Sequence, residues 1–365
     1  MGGPPKAFAD ARRSLASLLE QNGLAPGSRL IVAVSGGSDS MALAHAALFV
    51  GKRSGYPVTT VTVDHGIRPG SRGEAERVAH TMLEWGASEA RVTSINVAAT
   101  AGAGPEGAAR SGRYSAIARE VAGAGGAAPQ FADAPGASHA PRAAVLLGHT
   151  LDDQAETVLL GLGRGSGARS LAGMAPAGPL PEHPEVLALR PLLAIRRADL
   201  RQALRREGIS WVDDPTNELG GPWRSADGSA LTRASIRHSA LPALVEALGP
   251  GTVEALARTA SLLRQDADCL DSLAAQELGK YEENCAFDSA DSRPVSIPWL
   301  LSLEGALRSR VLRALAQKAG ARELSARHSA ALEKLITGPG GYHVADLPGV
   351  RAVRNGPRLS FERIG

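Results

Sequence analysis

Apolar and β-branched residues gather in short runs at 30–34, 58–64, 91–97, 144–148 and 186–193, each separated from the next by a helix-sized stretch. Runs of four to eight apolar residues are the pattern of strands covered on both faces, and their alternation with helices predicts a doubly wound parallel sheet of the α/β class. Past residue 240 the pattern changes. Val253, Leu256, Ala260, Leu263, Ala267 and Leu270 recur at spacings of three and four, a stripe along one helix face. Further helical patterns run through 299–319 and 324–336, and 341–363 alternates like a hairpin turning at Asn355-Gly356.

Two stretches interrupt this order. Residues 123–142 are almost wholly Ala, Gly and Pro, too poor in apolar surface to order themselves, and are expected to form a disordered surface insertion. Residues 215–230 contain glycine breaks and few apolar groups and are expected to lead out of the first domain. The expected organisation is a catalytic domain at 12–240, a helical domain at 241–338 and a short hairpin at 339–365, in keeping with a length of 365 residues.

Charge adds a lean towards polyanions. The net charge is only +3, but the isoelectric point is near 9.1 and arginine far outnumbers lysine; guanidinium groups fork onto phosphates. Cys269 and Cys285, 16 apart, fit neither a redox pair nor a zinc site. No stretch has signal-peptide or membrane-spanning character, so a cytoplasmic protein is expected.

The strongest chemical signal follows the first apolar run: Ser35-Gly36-Gly37-Ser38-Asp39-Ser40, then an apolar helix from Met41. A strand-to-helix turn of this kind aims unpaired backbone N–H groups and the positive helix end at one spot, and glycines let a phosphate approach closely. The hydroxyls of Ser35, Ser38 and Ser40 can bind phosphate oxygens, whereas Asp39 would repel them unless a divalent cation intervenes, which points to Mg²⁺ at Asp39. The loop lacks the Lys of a Walker A motif and the spacing of a dinucleotide turn, which excludes common kinases and dehydrogenases.

Asp64 and His65 end the second run, where open α/β sheets bind ligands. The block His149-Thr-Leu-Asp152-Asp153-Gln-Ala-Glu156 repeats the strand-to-helix logic, with Asp153 and Glu156 on one face, and suits a cationic or amine substrate. Arg110 and Arg113 lie one turn apart on an Ala-rich helix and could meet phosphate.

The Ser35–Ser40 loop resembles that of the ATP pyrophosphatase (PP-loop) superfamily, whose members cleave ATP between the α and β phosphates. In one order follow Asp64-His65-Gly66, Glu106 with Arg110 and Arg113-Tyr114, the block from His149, Arg164-Gly-Ser-Gly, Arg190-Pro-Leu-Leu and Asp213-Asp214-Pro-Thr-Asn217. That series resembles tRNA(Ile)-lysidine synthetases over about residues 12–245. The resemblance implies ATP and Mg²⁺ as cofactors, and free lysine and a CAU-anticodon tRNA(Ile) as partners. Lysine would be ligated to C2 of the wobble cytidine through an adenylate.

By resemblance Asp39 holds the metal and Arg113 steadies the α-phosphate. His149 and Asp153 contact cytidine and lysine, Glu156 orients the ammonium, and Ser35 to Ser40 with Asp64 and His65 bind nucleotide. Arg110, Arg164, Arg233 and Arg237 are candidates for tRNA contact. Here Ala234 stands where the family segment has Asn. A sulfur-transfer enzyme of the same superfamily is disfavoured because residues 1–268 hold no cysteine; an ammonia-using ligase is the remaining alternative.

Overall fold

The computed structural model describes residues 3–66, 70–95, 104–123, 142–164, 167–213, 232–284, 294–322 and 324–364. The 123–142 insertion, but for its two end residues, the break at 215–230, the side chain of Glu106, Asp214, Asn217 and Cys285 lie outside them. Contacts divide the chain into two units. One comprises 1–160 and 173–258; the other comprises 161–172 and 259–365.

The first unit is built on a mostly parallel sheet. β1 (Arg29–Ala33) lies between β2 (Val58–Asp64) and β4 (Ala143–Leu146), parallel to both; β3 (Glu89–Ser94) extends the β2 side. Beyond β4 come β6 (His183–Leu189), parallel to it, and then β5 (Ala177–Leu180), antiparallel, giving the order β3-β2-β1-β4-β6-β5. Each of the five runs holds a strand among the described residues. β5 is an addition, because Ala177-Gly178-Pro179-Leu180 carries no β-branched or aromatic residue to announce it.

Helices cover both faces, as the continuous burial of β1 requires. α1 (Lys6–Gln21), α2 (Ser38–Ser54), α3 (Ser71–Glu84) and α7 (Arg197–Arg206) pack over a core with Phe8, Leu15, Leu30, Leu43, Met82 and Leu200. α4 (Gly104–Gly123) covers the other face with Tyr114, Ile117 and Val121 against Ile31, Val61 and Val145. α5 (Leu151–Gly163) follows β4. The strand order reverses direction between β1 and β4, where a crevice opens at the strands' carboxyl ends.

The second unit holds α6 (Ala168–Leu171) and begins its longer part within α10 (Thr252–Asn284). The predicted stripe is the helix's inner face: Val253, Ala260 and Ala267 are buried. The single helix expected at 299–319 is two, α11 (Ile297–Ser302) and α12 (Gly305–Lys318), since Leu303 and Glu304 take extended backbone; α13 (Ala326–Thr337) follows.

The terminal hairpin is larger than its sequence signal. β8 (Tyr342–Leu347), β9 (Val350–Asn355) and β10 (Arg358–Arg363) form an antiparallel meander, completed by β7 (Val295–Ser296) in the order β7-β10-β9-β8. Asn355-Gly356 makes the β9–β10 turn, with Gly356 at φ 57, and Pro348-Gly349 makes the second turn, with φ 82 at the glycine. Their inward residues share one core with Leu300, Leu312 and Leu332.

Candidate active site

The loop after β1 is held by its own side chains. Ser40 Oγ accepts the Ser35 N–H at 3.1 Å and donates to the Gly37 carbonyl at 2.9 Å. Gly36 stands at φ +83, and a Cβ there would come within 2.9 Å of Val78, so conformation and space both require glycine. Its carbonyl accepts the Val212 N–H at 2.9 Å. α2 starts at Ser38 with no side-chain cap and Asp39 in its first turn, which leaves its first N–H groups to an anion.

At the end of β2, Asp64 accepts from Ser71 Oγ at 2.7 Å and from the Gly66 N–H at 3.0 Å. Burial would raise its carboxyl, but these two donors, together with the charges of His65 and Arg72, hold it below the ordinary range. Asp64 thus braces the turn after β2, and Asp64 and His65 line the same cavity as the β1 loop.

The turn after β4 supplies the acids. Thr150 donates both its N–H and its hydroxyl to Asp153 Oδ2 at 2.8 Å, closing the start of α5. Burial opposes the charge on Asp153, but Arg197, His149 and the two Thr150 bonds prevail, and the carboxyl is held well below its usual value. His149, immediately before, has Nδ1 buried without a hydrogen-bond partner. Burial, helped by Arg190, Arg113 and Arg110 against the pull of Asp153, pushes its imidazole down to about 3, so it is neutral.

Glu156 is fully buried beneath guanidinium groups. Arg237 grips it twice, Nε to Oε1 at 2.7 Å and Nη2 to Oε2 at 3.0 Å, with Arg233 Nη1 at 3.6 Å and Arg197 Nη1 at 3.7 Å. The departure at Ala234 therefore leaves both arginines of that segment at the site; Ala234 itself is buried.

These turns border one cavity of about 740 Å³, which is ample for a nucleotide. Its walls bring together residues of the Ser35–Ser40 loop, Asp64, His65, Arg110, Arg113, His149, Arg233 and Arg237. Arg110 and Arg113 sit 5.2 Å and 5.3 Å from the Tyr114 ring, and among the described residues neither pairs with a carboxylate. Arg164 is exposed just beyond α5, its N–H on the Gly161 carbonyl, and belongs to the second unit.

Three residues that shape the site escaped sequence reasoning, one buried behind the cavity and two in its wall. Thr150 is the cap just named. Arg197 and Arg201, four apart on one face of α7, reach Asp39 Oδ2 at 2.7 Å and Ser38 Oγ at 3.2 Å. Their i,i+4 spacing just after Arg190-Pro-Leu-Leu was the available signal.

A family model described as the PP-loop domain matches residues 9–129 and 135–244, and one described as the TilS substrate binding domain matches 296–359. The tRNA(Ile)-lysidine synthase of Thermobifida fusca is 43% identical over 359 residues, 97% of this chain and 97% of that one. That of Streptomyces coelicolor is 43% identical over 341 residues, 92% and 86% of the two chains. Among solved structures, the U34-tRNA thiolase NcsA from Methanococcus maripaludis superposes with a TM-score of 0.52 over 71% of this chain and 80% of that one; at 18% identity the likeness is one of fold. A strand-end phosphate loop facing an acid-bearing turn across the sheet's switch point, in a chain so close to these relatives over almost its whole length, places the protein in the tRNA(Ile)-lysidine synthase family.

Proposed function

We propose that this enzyme ligates free lysine to C2 of the wobble cytidine of a CAU-anticodon tRNA(Ile), consuming ATP and releasing AMP and pyrophosphate. The observation that carries the reading is the juxtaposition, across the β1–β4 crevice, of an anion-binding loop and a turn bearing His149, Asp153 and Glu156. In the first step the cytidine C2 oxygen attacks the α-phosphorus and the bond to the bridging oxygen of pyrophosphate breaks. In the second, lysine's ε-nitrogen bonds to C2, the C2–oxygen bond breaks and AMP departs with that oxygen, while the ammonium gives up a proton before attack and another after it.

The N–H groups of the Ser35–Ser40 loop and the start of α2 take the charge of the departing pyrophosphate, and Arg113 faces the α-phosphate. Asp64 and His65 border the nucleotide. His149, neutral and with Nδ1 unpartnered, is suited to a polar edge of the cytosine ring. Asp153 and Glu156 draw lysine's ammonium towards C2, against the arginines that now neutralise them. A carboxylate held as far down as Asp153 is a weak base, which favours an oxygen of the departing phosphate as proton acceptor.

Mg²⁺ suits Asp39. Burial pushes its carboxyl up, only partly offset by Arg197, so a buried acid there welcomes a further cation. Among the described residues no cluster of three or more ligating side chains exists. This donor set fits an ion shared with triphosphate oxygens, as Mg²⁺ sites commonly are, and that ion would neutralise charge on the leaving group.

The helices of 241–338, the C-terminal strands at 339–365, Arg110 and Arg164 are proposed to grip tRNA, with catalysis confined to 12–240. Among the described residues no helix is long and apolar enough to cross a membrane, and action in the cytoplasm is proposed.

The test is incubation with ATP, Mg²⁺, labelled lysine and a CAU-anticodon transcript. Label fixed in tRNA, abolished by changing the wobble cytidine and reduced at least about 10²-fold by Asp39→Ala, is the expected result. Release of AMP and pyrophosphate without fixed lysine would preserve the ATP chemistry and refute the substrate.

A further inference from the structure

Arg197 lies between the two turns that build the crevice. Its Nε is 2.7 Å from Asp39 Oδ2, Nη2 is 2.9 Å from Asp153 Oδ1 and 3.5 Å from Thr150 Oγ1, and Nη1 is 3.7 Å from Glu156. The side chain is only 17% exposed. Asp39 opens the helix after β1 and Asp153 opens the helix after β4, strands that are direct neighbours in the sheet. One guanidinium therefore ties together the two acid-bearing turns from opposite sides of the crevice.

The arginine is itself anchored. Asp152 Oδ2 accepts the Arg197 N–H at 2.7 Å, and Asp152 Oδ1 accepts from Arg196 Nε at 3.3 Å, fixing the start of α7 to α5. The two turns also approach backbone to backbone: a Cβ on Gly148 would stand 3.3 Å from the Asp39 carbonyl. A planar fork with donors in fixed directions sets both the separation and the orientation of two carboxylates; the point charge of a lysine sets neither.

We infer that Arg197 is a positioning residue of the ligation, holding the Asp39 and Asp153 carboxylates in register so that the adenylated cytidine formed beside the loop meets the incoming amine. It acts through these two acids and need touch neither substrate. The inference rests on the function proposed above. Simple charge neutralisation is the competing account, and it differs in consequence, because a lysine would satisfy it.

Steady-state lysine ligation by the full-length wild type, Arg197→Ala, Arg197→Met and Arg197→Lys, with and without added guanidinium ion, separates the two. A loss of register costs on the order of 10²-fold in rate. The expected result is kcat lower by about that factor in all three variants, KM for tRNA unchanged, and recovery of part of the Arg197→Ala loss by guanidinium, which leaves the wild type unaffected. Wild-type kcat in Arg197→Lys would overturn the inference in favour of charge alone, and wild-type kcat in Arg197→Met would overturn both accounts.

Should the apolar variants melt early, Arg197→Lys decides: reduced kcat at an unchanged melting temperature supports positioning, and unchanged kcat refutes it. If the wild type itself fixes no lysine, the functional reading fails and takes the inference with it. An active wild type with unimpaired variants refutes the role of Arg197 alone.

Discussion

At the scale of single residues, the site sets buried acids against guanidinium groups, with the neutral His149 imidazole among them. His149 makes a prediction with a definite sign. Its pKa is about 3 in the folded chain against 6.5 for an ordinary imidazole. Between those values the unfolded state binds a proton that the folded state refuses, so stability rises with pH across the window, is complete above about 6.5, and is lost as pH falls towards 3. The slope from one such group approaches 1.36 kcal/mol per pH unit at about 25 °C. Urea unfolding of the wild type and His149→Gln at pH 4.5 and pH 7 should show the smaller pH dependence in the variant. Parallel losses in the two proteins would mean that the buried imidazole accepts a proton at no cost.

Among the elements, the turn after β4 depends on a missing side chain. A methyl on Gly148 would meet the Asp39 carbonyl carbon and oxygen at 3.3 Å and the Ser40 Cα at 3.4 Å, all backbone atoms with little freedom to yield. Gly148→Ala should part the two turns by a few tenths of an ångström, cost about 1–3 kcal/mol and lower kcat for lysine ligation. Gly163→Ala is the control: it ends α5 with open space around its Cα, and should leave stability and activity near wild type. Equal activity in the two variants would show that the turns tolerate separation.

What was legible in the sequence is what lies contiguous in the chain. The Ser35–Ser40 loop and the block from His149 to Glu156 were readable because strand, turn and helix start are contiguous in sequence. For Arg197 the i,i+4 spacing with Arg201 marked only a basic helix face; its partners Asp39 and Asp153 lie 158 and 44 residues away, and no local pattern records a long-range ion pair. β5 and the extra terminal strands were missed for related reasons. Ala177–Leu180 owes its extended form to pairing with β6, β7 is only two residues long, and β8 is mostly exposed, so neither terminal addition carries the apolar pattern that marks a strand.

On the scale of the whole chain, the hydrophobic clusters segregate by unit. The clusters around Leu30, around Ile31 and around Ala155 draw only on the first unit, and the cluster containing Leu300, Leu332 and Leu359 draws only on the second. Cooperativity follows shared apolar contacts, and units with separate cores need not unfold in one step. Two calorimetric transitions are therefore expected. Nucleotide should raise only the one belonging to the unit that holds the Ser35–Ser40 loop, because ligand stabilises the state that binds it. Leu300→Ala, at a side chain with no exposed surface, should lower only the other, by about 2–5 kcal/mol in stability, and should weaken tRNA binding while sparing ATP binding. A single transition moved equally by nucleotide and by Leu300→Ala would instead mean that the two cores melt together, and that the substrate-binding unit lends its stability directly to the site of chemistry.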